Sequence, residues 1–145
     1  MKRLLVNLVL GLMLFGSTGV SRAVGPYVYL SVPQEKVNLG TVFIYDSIIP
    51  KAMTLKINSN CFHGSVVASI GSLKNSLGNE IKQDRISIKT PFTGDFISMS
   101  KPVVISGPAF GSHEVVIDFK VKANGANDRA GKYYGMIAFT VMPVI

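Results

Sequence analysis

The sequence predicts an all-β protein, an antiparallel β-sandwich of seven or eight short strands. Three observations lead there. Apolar and polar residues alternate at a spacing of two in several stretches, most cleanly in 113–122 and 132–141. Turn-forming residues separate those stretches at short intervals, and no window beyond residue 23 carries helical periodicity. Strands of that length, with turns between them and no helices to cover a parallel sheet, pack as two antiparallel layers.

The first 23 residues are expected to be a secretory signal peptide. Lys2 and Arg3 precede an apolar run, Leu4 to Phe15, broken only by Asn7 and Gly11. Ser21-Arg22-Ala23 then puts small residues three and one before a cut ahead of Val24, which is the leader pattern. The run is short of the roughly 20 apolar residues that span a bilayer, so no membrane span is expected after cleavage. No cysteine lies beside the cut to carry a lipid. An uncleaved anchor is the other reading of this segment.

Residues 24–145 then form one domain of 122 residues, long enough for a proper core. The whole chain carries a formal charge of +7, but Lys2, Arg3 and Arg22 leave with the leader. Twelve basic residues then face eight acidic ones, spread without clustering. That argues against a nucleic-acid surface, as does an exported address in the periplasm, at the outer surface or outside the cell. Cys61 is the only cysteine, so no disulfide forms within the chain and packing must hold the fold. It reads as a buried free thiol, with pairing to a second chain or a reactive role as the other readings.

Taken in order, Val28, Leu30 and Val32 alternate with Tyr27, Tyr29 and Ser31 until Pro33 ends a first strand. Val37 to Gly40 leads into a short piece, Thr41 to Tyr45. Lys51 to Asn58 is a clear strand with Met53, Leu55 and Ile57 inward, closed by the turn chemistry of Asn58-Ser59-Asn60. Val66, Ala68 and Ile70 carry the next. Residues 71 to 84 are polar and read as a long loop or a weak edge hairpin. Ile86 and Ile88 mark a short strand, and Phe96 to Ile105, interrupted by Pro102, reads as edge pieces. Val115, Ile117, Phe119 and Val121 then face inward, opposite Glu114, Asp118 and Lys120. After the loop Ala123 to Ala130 comes the final strand, with Tyr133, Gly135, Ile137, Phe139 and Val141 on one side.

The run Asp128-Arg129-Ala130-Gly131-Lys132-Tyr133-Tyr134-Gly135 resembles the approach to strand F of an immunoglobulin-like domain. The resemblance implies that Tyr133 is a tyrosine-corner residue, its hydroxyl bonded back to loop backbone. Gly135 stands where that family has its second cysteine. The ending AGKYYGMIAFTVMP is similar to the finish of many bacterial secreted and fimbrial β-sandwich proteins, and VNLGTVF with LKINSN resembles the start of bacterial immunoglobulin-like surface domains. It covers the domain loosely and is specific only over residues 128 to 143.

If Tyr133 opens strand F, only Pro143, Val144 and Ile145 follow, too few for a strand G. Subunits of chaperone–usher pili resemble this case: they lack their last strand, and a neighbour's N-terminal extension fills the groove by β-strand addition. The resemblance thus implies a strand-donor segment carrying Val28, Leu30 and Val32, and an acceptor face of Tyr133, Gly135, Ile137, Phe139 and Val141. The departures are the missing disulfide pair and the missing penultimate tyrosine. Self-closure, with residues 27 to 32 as an ordinary first strand, remains open.

No catalytic, cofactor or metal site is expected. Cys61-x-His63 offers two metal ligands where a structural zinc site takes four. Ser112-His113-Glu114 are strand neighbours pointing to alternate faces, which does not make a nucleophile–base relay. Asn124, Asn127 and Asp128 place oxygens in one loop with a single carboxylate, too few for a calcium site. Tyr27, Tyr29 and Tyr134 read as an aromatic stripe or as edge packing. The expected function is non-enzymatic, structural or adhesive: a fimbria-like subunit or surface component meeting a protein partner, or itself, through a sheet edge. The alternative is a monomeric periplasmic binding module that holds a ligand in its loops.

Overall fold

The computed structural model describes residues 3–8, 25–33, 36–38, 45–124, 129 and 131–145. Its strands in chain order are β1 (Arg3–Leu8), β2 (Val28–Ser31), β3 (Lys36–Asn38), β4 (Ser47–Ser59), β5 (Phe62–His63), β6 (Val66–Ile70) and β7 (Leu73–Lys74). There follow β8 (Glu80–Ile81), β9 (Ile86–Lys89), β10 (Ile97–Ser98), β11 (Val103–Ser106), β12 (Ala109–Phe110), β13 (His113–Val121) and β14 (Tyr134–Val141). The only helical element among the described residues is one 3-10 turn, Gln83–Arg85. No helix there is long and apolar enough to cross a membrane.

The protein is an all-β sandwich. One sheet runs β11-β6-β14-β1-β3, with β7 and β8 appended beside β14, and the other runs β10-β9-β13-β4-β2. A two-stranded ribbon, β5 with β12, lies apart from both. The alternation in the sequence decides which side chains meet between the sheets. Met53, Leu55 and Ile57 of β4 and Val115, Ile117, Phe119 and Val121 of β13 are buried. They share one core with Val66, Ala68 and Ile70 of β6 and with Tyr133, Ile137 and Phe139. Lys56 and Glu114, directly opposite each other on the outer face, form an exposed ion pair at 3.5 Å, a contact of small energetic weight.

The long pair β4–β13 bends in the middle. Its register shifts between Ile117 and Phe119, and Lys51 lies at φ 48°. The Lys51 N–H, turned out of the ladder there, donates to the Asp118 carboxylate at 2.7 Å. This is a β-bulge with a side chain taking the place of the lost backbone partner. At the end of the same pair, the Ala123 N–H donates to the Asp46 carboxylate at 2.9 Å and Lys120 lies at 3.4 Å. That N–H first, and the ammonium second, hold the Asp46 carboxyl below its usual range.

The structure bears on the sequence reading at several places. Residues 3–8, expected to leave with a signal peptide, form β1 inside the first sheet. Its pairing with β14 is parallel, whereas every other strand pairing among the described residues is antiparallel. Of the two forms expected for the polar middle, the structure has the hairpin: Leu73 and Ile81 are fully buried, and Asn75 Oδ1 closes the turn by accepting from the N–H groups of Leu77 and Asn79. Strand segments also outnumber the expected seven or eight, because edge pieces such as β10 and β12 are only two residues long. The piece Thr41 to Tyr45 lies, apart from Tyr45, outside the described residues.

Candidate functional site

The final strand is where the site is built. Tyr133, Ile137 and Phe139 are buried and Gly135 and Val141 half-buried, while Tyr134, Met136 and Thr140 on the other face are exposed. One flank of β14 is taken by β6, from Ile137↔Ile70 to Val141↔Val66, and by β7 at Tyr134↔Lys74. Gly135 is needed beside β7, because a Cβ there would run into the Leu73 side chain, itself fully buried. The other flank takes β1, in register from Arg3↔Tyr134 to Leu8↔Phe139. On its far side β1 pairs with β3 at Leu4↔Val37 and its neighbours.

β1 thus fills a slot one strand wide between the backbone of β14, from Tyr134 to Phe139, and β3, which pairs with no other strand among the described residues. Two strand spacings of 4.7–4.9 Å make that slot about 9–10 Å across. An inserted strand gains ladder partners on both sides, parallel to β14 and antiparallel to β3. A lone open edge would offer only one.

The corner below the slot has the expected bond. The Tyr133 hydroxyl donates to the Arg129 carbonyl at 2.7 Å, and the residue is 3% exposed. Gly131 between them sits at φ 151°, and a Cβ there would lie 3.1 Å from the Asn75 side-chain nitrogen, a conformation and a space that suit glycine. Asp128, the other half of the motif, lies outside the described residues. Tyr133→Phe is expected to cost about 1 kcal/mol, the usual net worth of one such bond. Urea unfolding of the two proteins measures it, and equal midpoints would mean that the hydroxyl bond adds nothing.

The segment expected as a strand donor is placed within the chain's own second sheet. Val28–Ser31 pairs with β4, from Val28↔Ser59 to Ser31↔Lys56, with Leu30 buried and Val28 and Val32 packed against the core. The acceptor-face residues Tyr133, Gly135, Ile137, Phe139 and Val141 are brought together, but facing the core; what β14 presents to the slot is its backbone flank.

The remaining candidates separate. Ser112 Oγ accepts from the Ser59 N–H at 2.9 Å and lies 3.2 Å from the Ser59 carbonyl, His113 Nε2 meets Ser106 Oγ at 3.2 Å, and Glu114 pairs with Lys56. These three neighbours therefore serve three different structural contacts. His63 is buried and stacks on His113 with ring centroids 5.3 Å apart. Its Nδ1 lies 2.8 Å from the Gly64 carbonyl, which requires the proton on that nitrogen, and its buried Nε2 has no hydrogen-bond partner among the described residues. Half-buried Cys61 turns its sulfur to Ser59 Oγ and the Tyr27 carbonyl, each at 3.6 Å. Among the described residues no three His, Cys, Asp or Glu side chains converge to hold a metal. Of the calcium candidates only Asn124 is described. Tyr27 and Tyr29 flank the second sheet and Tyr134 the first, so they do not make one stripe.

Sequence reasoning places an acceptor groove at the final strand but misses β1 as the strand beside it, because residues 3–8 fit the leader pattern. Two shallow grooves also meet at exposed Val104, one of about 520 Å³ beside Phe62, Pro108 and Val144, the other beside Phe92 and Ile97. Compared with models of known protein families the chain matches none, and no curated protein matches its sequence significantly.

Proposed function

We propose that the protein is an exported, non-enzymatic, immunoglobulin-like subunit of a surface or fimbria-like assembly, joined to its neighbours by strand addition. The observation that carries this reading is β1, a strand remote in sequence that fills the place between β14 and β3. A sheet completed by a remote segment in this way draws on main-chain hydrogen bonds to an extended strand, the physical basis of strand addition. The Tyr133–Arg129 bond adds support for the immunoglobulin-like part. Because Val28–Ser31 is already paired with β4, its donation to a neighbour would require exchange out of its own sheet.

The test is the size distribution of the exported, leaderless protein by light scattering across a concentration series. Concentration-dependent oligomers are expected. A protein that remains monomeric at every concentration would overturn the assembly reading. It would favour the second one, a monomeric binding module using the apolar groove beside Phe62 and Val104.

A further inference from the structure

We infer that the apolar face around Val104, at the outer edge of the first sheet, is the contact surface for a second copy of this chain, the two copies meeting face to same face about a two-fold axis. The inference goes beyond strand addition and does not depend on it.

The face begins at the ribbon. Phe62 of β5 and Phe110 of β12 stand directly opposite each other, and their side chains are 53% and 75% exposed. Opposite residues of an antiparallel pair share a face, so the two rings form one aromatic platform in water. The other face of the ribbon carries Ala109 opposite buried His63 and turns to the protein. Next to the platform runs β11, the end strand of the first sheet, with Val104 exposed between buried Val103 and Ile105. The two grooves that meet at Val104 are nearly equal, about 520 and 550 Å³. Met142 lines the first, and Phe92 and Ile97, both exposed, line the second. A Cβ on Gly107 would lie 3.0 Å from the Phe92 ring, so glycine lets that ring lie close over the backbone after β11.

Area decides what such a face can hold. At about 150–250 Å² for an aromatic side chain, the three phenylalanines leave on the order of 350 Å² in water. With Ile97, Val104 and Met142 the face comes to about 600 Å², the upper end of the largest patch on a typical monomer. Two copies would cover about 1,200 Å² between them, which reaches the range of specific, stable interfaces. Charge points to the same occupant. Among the described residues, Lys101 is the only charged one lining either groove. A charged partner has little to hold there, whereas a second copy lays apolar surface on apolar surface and leaves exposed Lys101 to keep its ammonium in water. An axis at Val104 sets the groove beside Phe62 of one copy against the groove beside Phe92 of the other, and the reverse. Both faces are then used up, and the contact closes at two copies.

The test is sedimentation equilibrium of the full chain over a concentration series, beside Val104→Asp, Phe110→Glu and the control Leu77→Asp. Val104→Asp sets two carboxylates against each other at the axis, and Phe110→Glu puts a charge on the aromatic platform. Leu77 is exposed in the β7–β8 turn and lines neither groove. The parent and the control are expected to rise from one to two chains and stop there. Both variants are expected to dissociate at least about 30-fold more readily, the loss of a hot-spot side chain. Should Val104→Asp not fold, Phe110→Glu decides alone, since it replaces only an exposed ring. A parent monomeric at every concentration, or variants that dimerise as the parent does, would overturn the inference. Association that passes two copies and is lost in the variants would overturn it too, because a two-fold contact closes. The strand-addition reading fails separately, since both variants keep the backbone flanks of every strand. Growth alike in parent and variants leaves strand addition standing and removes this contact. A dimer that stops at two copies and gives only monomers in both variants does the reverse.

Discussion

Phe139→Ala is expected to remove about 3–5 kcal/mol of stability, the range for emptying a large aromatic site in a packed core. Phe139 is 2% exposed and stands on β14 opposite Ala68 of β6. Alanine at position 68 leaves little side chain on that neighbouring strand to relax into the space. A domain of this kind has about 5–15 kcal/mol in total, so the loss brings it near the threshold of folding. Urea unfolding reads the change as a shift in midpoint at unchanged slope. Thr140→Ala is the internal control, exposed on the same strand and expected within about 0.5 kcal/mol of the parent. Equal costs for the two would show that the inward face of β14 is not part of the core, and with it the placement of the slot would fall.

Gly64→Ala is expected to cost about 1–3 kcal/mol by overpacking, with the damage concentrated at the C-terminal segment. A Cβ on Gly64 would collide with the Met142 carbonyl oxygen, and the Met142 carbonyl carbon and Pro143 oxygen lie at 3.0 and 3.1 Å. These are backbone atoms, and the Met142 N–H is fixed to the Ser65 carbonyl at 2.8 Å. The chain cannot step aside by a rotamer change. It must either strain or let residues 142–145 detach. Hydrogen exchange at the Met142 amide distinguishes the two, with faster exchange marking detachment. Gly71→Ala meets nothing within 4 Å and should be close to neutral. If Gly64→Ala matches it, the close approach of β5 to the C-terminus is absent in solution.

Much of the fold was legible because burial wrote itself into alternation. From Val115 to Val121 and from Met53 to Ile57 every second residue is apolar and buried, and buried Tyr133 bonds through its hydroxyl to the Arg129 carbonyl. The hairpin β7–β8 was hard to see because only Leu73 and Ile81 anchor it, two apolar residues in a run of polar ones. β1 was illegible for a different reason. An apolar run broken only by Asn7 and Gly11 satisfies the leader pattern, which masks any claim the same residues have on a sheet. The site suffered most from this, since the place of a strand in a sheet is set by backbone pairing, and backbone carries no sequence signature.

The register of β14 bears on when folding is possible at all. Its partners on one side, residues 3–8, come from the opposite end of the chain, and those on the other, Val66–Ile70, come from the middle. Contacts this far apart in sequence make for high contact order, and the loop-closure entropy between residues 3 and 134 must be overcome before the ladder rewards it. The first sheet therefore cannot close on a nascent chain. Until β14 is released, the polypeptide lacks the strand that pairs with both residues 3–8 and Val66–Ile70.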